Sequence, residues 1–173
     1  TGRQRYAIFD EQLHDAALKL LELEGDLRRA LQRHEFEPYY QPIINLSDGS
    51  LMGYEALMRW HHPVRGLCAP GDFINIAEET GSLEQMDWQV YELVCRDIKR
   101  LAAGNAYTSL NVAPRHLRAP DFCERLLELM GRNGVRPGQL RLEVTEGALL
   151  EQPEVVQACL GRMRDAGVWD VGL

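Results

Sequence analysis

The sequence lacks long apolar runs, a secretory signal, paired cysteines and an excess of basic residues. No apolar stretch reaches the ~18 residues of a membrane-spanning helix, and residues 1–10, TGRQRYAIFD, have no apolar core of the signal-peptide kind. The 26 acidic side chains outnumber the 19 basic ones, which disfavours tracking a nucleic-acid backbone. We expect no contact of this segment with membrane, DNA or RNA, and a cytoplasmic location, alone or as the cytoplasmic part of a longer, membrane-attached protein.

The cysteines are few and widely separated. Cys68, Cys95, Cys123 and Cys159 include no CxxC pair. Cysteine-based zinc sites use closely spaced pairs, so this spacing argues against one. Cysteines in a reducing compartment are usually buried free thiols, and we predict isolated buried thiols at all four positions.

What is present is an ordinary globular composition. Apolar residues make up 45% and charged residues 26% of the 173 positions, values typical of a folded domain. The length fits one domain, or one domain with an appendage. The composition excludes a disordered acidic tail or a low-complexity linker.

The N-terminal segment predicts a short strand followed by a long helix. Residues 3–9 read as a strand without a partner, and Asp10 is a candidate N-cap for a helix running to about His34. Two interpretations of this helix stay open: an amphipathic helix that packs on its own domain, or a dimerising, signalling linker. Both rest on apolar residues at heptad spacing, which are Leu13, Ala16, Leu20, Leu23, Leu27 and Ala30.

The rest of the chain alternates strands and helices. This alternation predicts βαβ units and a parallel sheet, entered by a hairpin with its turn at 47–50. The pattern alone does not decide between a doubly wound sheet and a barrel. The predicted strands are 36–46, 51–60, 107–113, 140–146 and 168–173, and the predicted helices are 72–80, 82–103, 120–131 and 153–167.

Polar residues interrupt three of these strands. Glu55, Asn111 and Glu143 each lie in the later part of a strand whose two faces should be buried, and Glu146 follows at a strand end. Strand ends of a parallel α/β fold meet at one rim, where active sites lie. Two carboxylates and an amide oxygen there are hard ligands for Mg²⁺, Mn²⁺ or Ca²⁺. The alternative for each residue is an ordinary salt bridge or solvation.

Several spaced motifs occur in order and resemble one family. They are QPI (41–43), YEALMRW (54–60), HP (62–63), PGDFI (70–74), AEETG (77–81), LNVAPRHL (110–117) and LEVTE (142–146). From about residue 27 to its end, the chain resembles the EAL family of cyclic di-GMP phosphodiesterases. The resemblance implies an α/β, TIM-like (β/α)₈ barrel, of which about the first half to two-thirds is present.

The resemblance also implies a chemistry. The family hydrolyses cyclic di-GMP, a bacterial second messenger, to linear pGpG with two divalent cations, Mg²⁺ or Mn²⁺. Glu55, Asn111 and Glu143 then correspond to catalytic residues and metal ligands, and Glu146 supports the loop that carries later ligands. Gln41, Leu57 and Arg59 match positions that line the substrate in the family. The guanidinium of Arg59 also suits phosphate oxygens by its forked geometry, with a surface ion pair as the alternative.

The family's next motif, DDFGTG, falls where this sequence reads VWDVGL and ends. We therefore expect an incomplete metal site and no hydrolysis by the fragment itself. Asp170 stands where the family pattern is apolar.

The predicted division is the end of an upstream GGDEF-like domain (1–9), a linker helix (10–34) and the N-terminal portion of an EAL domain (35–173). Expected partners are cyclic di-GMP, upstream GGDEF-like and sensory domains, and a second copy in a homodimer. Two alternative functions are a non-catalytic cyclic di-GMP-binding EAL receptor and an interaction fragment whose heptad helix dimerises.

Overall fold

The structure, a computed structural model, describes residues 2–101, 106–150 and 152–172. The helices are α1 (Gly2–Arg33), α2 (Ile74–Glu79), α3 (Leu83–Leu101), α4 (Pro114–Arg118), α5 (Phe122–Asn133), α6 (Glu146–Leu150) and α7 (Pro153–Asp165). The strands are β1 (Phe36–Ile44), β2 (Leu51–His62), β3 (Gly66–Cys68), β4 (Tyr107–Asn111), β5 (Leu140–Val144) and β6 (Trp169–Gly172). Contacts divide the chain into a first unit, made of the residues up to Glu37 with Arg59–Asp87, and a second unit, made of Pro38–Met58 with the residues from Trp88 onward.

The strands form one mixed sheet in the order β1-β2-β4-β5-β6, and β3 pairs with β2 in antiparallel orientation. The pairs β2–β4, β4–β5 and β5–β6 are all parallel. The helices α3, α5 and α7 connect these parallel strands in turn, so the predicted α/β fold with a parallel sheet is confirmed. A tight turn joins β1 to β2, where the Asn45 N–H donates to the Ser50 carbonyl at 2.8 Å.

In the second unit, parallel strands are buried against an amphipathic helix layer. Tyr107–Leu110 of β4 are all buried, as expected for a strand covered on both faces. Helix α5 buries one face because its apolar residues recur at helical spacing; they are Phe122, Cys123, Leu126, Leu129 and Met130. Gly134 ends this helix with a left-handed φ of 63°.

The first unit has an aromatic core. The rings of Phe36, Trp60 and Phe73 lie 5.5–5.9 Å apart between centroids, the usual range for aromatic pairs. The buried indole N–H of Trp60 donates to Glu35 Oε2 at 3.1 Å. These contacts join the start of β1, the end of β2 and the segment before α2.

The N-terminal strand prediction is wrong. Residues 3–9 are helical and belong to α1, so Asp10 lies inside this helix. A helix satisfies its backbone hydrogen bonds within its own segment, whereas a strand at 3–9 needs a partner strand. The division of the chain at 9 and 34 stays a prediction.

The heptad positions of α1 have two environments. Leu23, Leu27 and Ala30 are buried in the first unit, where α1 contacts α2. Leu20 is 47% exposed, and the side chains of Leu13 and Ala16 lie outside the described residues. The described C-terminal part therefore behaves as an amphipathic helix packed on its own unit.

Other differences are local. The sequence analysis does not predict strand β3 or helix α4. Pro114 nevertheless occupies the favoured first helical position of α4. Strand β5 ends at Val144, and Glu146 is the first residue of α6 instead of the last of a strand. The predicted end of the helix 82–103 and residue 173 fall outside the described residues. Among the residues that are described, no helix is both long and apolar enough to cross a membrane.

All four cysteines are free and buried, as predicted. They are not all isolated, however, because the Sγ atoms of Cys123 and Cys159 lie 3.0 Å apart. The prediction is wrong for this pair, since sequence spacing does not report which helices pack together.

Candidate functional site

Strand register brings three of the predicted site residues to neighbouring positions in the second unit. Asn111, the last residue of β4, is the register partner of Glu143 in β5. Glu55 is the register partner of Ser109, two positions before Asn111 on β4. Alternate residues of a strand share a face, so these side chains emerge on one side of the sheet. Because β2 continues to His62, Glu55 lies well inside its strand.

Glu55 and Asn111 are in direct contact. The Asn111 amide Nδ2 donates to Glu55 Oε1 at 3.0 Å. The side-chain oxygen of Asn111 is the remaining acceptor of this amide. Glu55 is half-buried and Asn111 exposed, so the pair lies at the surface of the sheet, where a ligand can reach it.

Ser109 orients the carboxylate of Glu143 and is not among the site residues predicted from the sequence. Its hydroxyl donates to Glu143 Oε1 at 2.5 Å, and Ser109 itself is fully buried. A hydrogen bond from a buried donor fixes the rotamer of a half-buried carboxylate. The available signal was a small polar residue two positions before Asn111, a spacing that places both side chains on one face of the strand.

Gly53 permits the close approach of β2 to β4. Its register partner is Tyr107, and a Cβ at position 53 would lie 2.5 Å from the Tyr107 carbonyl oxygen. Only glycine fits here without a backbone shift. The same pairing sets the register of Glu55, two residues further along β2.

Two further hydrogen bonds hold the ends of β4 and β5. The hydroxyl of Tyr91, buried on α3, donates to the Asn111 carbonyl at 3.1 Å. The Val112 N–H donates to the Glu143 carbonyl at 3.0 Å. The backbone beneath Asn111 and Glu143 is therefore anchored on both strands.

The remaining predicted residues lie on other elements. Gln41 is exposed on β1, where its neighbour Tyr40 donates to Asp97 Oδ2 at 2.9 Å. Leu57 is half-buried on β2. Arg59, also half-buried on β2, belongs to the first unit. Glu146 is exposed at the start of α6, and the Asp170 side chain lies outside the described residues.

The oxygen donors of Glu55, Asn111 and Glu143 fit a hard divalent cation. Mg²⁺ is usually held by one or two carboxylates while keeping several waters and binding substrate phosphates. Within the described part of the chain, no group of three or more His, Cys, Asp or Glu side chains is placed to hold a metal. These three residues therefore fit a cation whose other ligands are water and phosphate oxygens better than a structural cation that is enclosed by protein ligands.

The sequence profile of the EAL domain family matches residues 24–169. The chain belongs to the EAL domain family. The residues that the strand register brings together, Glu55, Asn111 and Glu143, all lie inside this EAL match.

Two curated relatives carry named activities, and both come from Pseudomonas aeruginosa. Cyclic di-GMP phosphodiesterase NbdA is 35% identical over 170 residues, which cover 96% of the EAL chain and 22% of NbdA. Bifunctional diguanylate cyclase/cyclic di-GMP phosphodiesterase MucR is 33% identical over 172 residues, which cover 96% of the EAL chain and 25% of MucR. The chain thus spans about a quarter of the length of these relatives.

A solved structure also matches the EAL chain. The PaMucR phosphodiesterase in its c-di-GMP complex superposes with a TM-score of 0.80 at 30% identity, over 86% of this chain and 62% of that one. This likeness agrees with the parallel α/β arrangement described above.

Proposed function

We propose that the protein containing this EAL chain is a phosphodiesterase that hydrolyses cyclic di-GMP to linear pGpG in bacterial second-messenger signalling. The observation that carries the proposal is the alignment of Glu55, Asn111 and Glu143 on three adjacent strands, with Asn111 bonded to Glu55. The named activities of the relatives NbdA and MucR support it.

We assign Glu55, Asn111 and Glu143 as ligands and catalytic residues of a Mg²⁺ or Mn²⁺ site with two cations. Divalent cations acidify a bound water and stabilise charge on the attacking and leaving oxygens of a phosphodiester. Ser109 holds the Glu143 carboxylate in one orientation. The bond to Asn111 holds the Glu55 carboxylate, and a cation would compete with the amide for the same oxygen.

Gln41, Leu57 and Arg59 are the proposed substrate contacts. Arg59 is the strongest candidate for a phosphate contact, because a guanidinium donates two parallel hydrogen bonds to phosphate oxygens. We assign Glu146 a supporting role for the loop that follows β5, in keeping with its position as the first residue of α6.

The test is turnover by the intact protein. Purified protein is incubated with cyclic di-GMP and either Mg²⁺ or Mn²⁺, and pGpG is quantified by chromatography, with chelator and a Glu55→Gln variant as matched controls. We expect metal-dependent pGpG that both controls abolish. No product with either metal contradicts the proposal, and calorimetric binding of cyclic di-GMP without product identifies the receptor alternative.

The proposal extends to the surroundings of the EAL region. A bifunctional relative such as MucR supports an upstream GGDEF-like domain, with sensory domains beyond it. We assign the reaction to the bacterial cytoplasm, in keeping with an intracellular second messenger as substrate.

We also propose a homodimer through the N-terminal part of α1. Leu20, which lies at a heptad position, is 47% exposed, and its neighbours Leu18 and Leu21 are 46% and 65% exposed. Heptad spacing favours a second copy of the helix as the group that covers Leu20. Sedimentation of the intact protein should show a dimer that Leu20→Glu dissociates. A monomer at every concentration, or a dimer that the substitution leaves unchanged, contradicts this assignment.

A further inference from the structure

Cys123 and Cys159 form a buried pair in the second unit, on helices and not on the strands that carry Glu55, Asn111 and Glu143. Cys123 is the second residue of α5, and Cys159 lies in the middle of α7. Their Sγ atoms are 3.0 Å apart, and each residue is 2% exposed. A disulfide bond is about 2.05 Å long. The two sulfurs therefore need to approach by only about 1 Å to form one.

The surroundings of the pair favour a thiolate. The contact with the Cys159 thiol, aided by the nearby Arg162 and opposed by burial, holds the pKa of the Cys123 thiol below its usual range. The positive end of the α5 dipole acts in the same direction. Burial instead raises the pKa of Cys95 to about 12. The pair is thus chemically distinct from a cysteine that is merely buried.

A groove lies against the Cys159 side of this pair. It has a volume of about 370 Å³ and lies between the end of α4 and one face of α7. Its lining includes Leu117, Pro120, Glu154, Cys159 and Arg162. Arg162 Nη1 also lies 2.8 Å from Glu124 Oε1, so an ion pair joins α7 to α5 beside the sulfurs.

A metal site is the competing interpretation of two adjacent thiols. Structural zinc takes four ligands, and the described residues contain no group of three or more His, Cys, Asp or Glu side chains placed to hold a metal. The geometry therefore favours thiol chemistry over metal binding.

We propose that Cys123 and Cys159 form a redox modification site, in which hydrogen peroxide converts the two thiols to a reversible disulfide that ties α5 to α7. The Cys123 thiolate attacks one peroxide oxygen, so that an S–O bond forms, the O–O bond breaks and the departing hydroxide takes up a proton to become water. The Cys159 sulfur then attacks the Cys123 sulfenic acid. The S–S bond forms as the S–O bond breaks, and the released hydroxide accepts the Cys159 proton. Two thiols and one peroxide thus give one disulfide and two waters.

The test maps the cysteines of the intact, natively folded protein after treatment with hydrogen peroxide. Remaining thiols are alkylated after unfolding, and the digested protein is analysed by mass spectrometry without reductant. We expect a peptide pair joined through Cys123 and Cys159, which dithiothreitol separates. We also expect the Tm of the oxidised protein to rise by roughly 5–10 °C.

Matched variants separate this pair from the other thiols. Cys95→Ser should leave the cross-link intact, whereas Cys159→Ser should remove it and leave a Cys123 sulfenic acid that dimedone traps. The disulfide mapping of the unsubstituted protein decides the proposal, so a folding defect in either variant does not affect the conclusion. Full alkylation of both cysteines after peroxide treatment, or only sulfinic and sulfonic products, would overturn the proposal.

Discussion

The cluster of Glu55, Asn111 and Glu143 and the thiol pair both unite residues that are far apart in sequence, but by different means. Asn111 and Glu143 meet because parallel strands align in a regular register. Cys123 and Cys159 meet because two helices, α5 and α7, happen to pack at those positions. Strand side chains alternate between the two faces of a sheet every second residue, and this alternation is visible in the sequence. Helix packing has no comparable repeat, so the second contact becomes visible only in three dimensions.

The largest effect should come from removing a carboxylate of the cluster. Glu143→Gln keeps the size of the side chain and loses its charge, so the intact protein should lose at least about 100-fold in kcat for cyclic di-GMP. Hydrolysis at saturating substrate and metal checks this value. A loss below about threefold would remove Glu143 from the proposed site.

Gly53→Ala tests whether the cluster depends on strand register. The added methyl group would meet the Tyr107 carbonyl, and forcing an atom into a packed site costs about 1–3 kcal/mol of unfolding free energy. Chemical denaturation measures this loss of unfolding free energy.

The control for this substitution is Gly131→Ala in α5, where a Cβ meets nothing within 4 Å. That change should raise the unfolding free energy by about 0.5–1 kcal/mol. Equal effects at positions 53 and 131 would contradict the close strand approach.

Ser109→Ala tests the positioning of Glu143. Loss of the hydroxyl frees the carboxylate, so the affinity for Mn²⁺ should fall about tenfold. A metal titration of activity separates this role from a purely structural one, because a simple loss of stability lowers the fraction folded without moving the metal midpoint. An unchanged midpoint would remove Ser109 from the supporting contacts.

The smallest effect should come from the ion pair beside the thiols. Arg162 and Glu124 are 47% and 62% exposed, and exposed pairs contribute at most about 1 kcal/mol. Glu124→Gln should therefore change the unfolding free energy by less than about 1 kcal/mol by chemical denaturation. A larger loss would show that charge, and not apolar packing, joins α5 to α7.

The sequence predicted those features that follow a regular period. The alternation of strands and helices predicted the parallel sheet, and the late positions of Glu55, Asn111 and Glu143 in their strands predicted that these side chains lie near one another. Features that depend on tertiary partners were missed. Residues 3–9 have strand-like composition but no partner strand, and are helical. Ser109 looked like an ordinary strand residue, because only its bond to Glu143 reveals its role.

A crystal structure of the intact protein with Mn²⁺ and cyclic di-GMP tests the central claim most directly. We predict an anomalous manganese peak with oxygens of Glu55, Asn111 and Glu143 at about 2.1 Å, the spacing of a hard cation from its ligands, and a phosphate oxygen of cyclic di-GMP on the same ion. Manganese bound elsewhere without these three side chains, or the nucleotide seated on a different face of the sheet, would contradict the account.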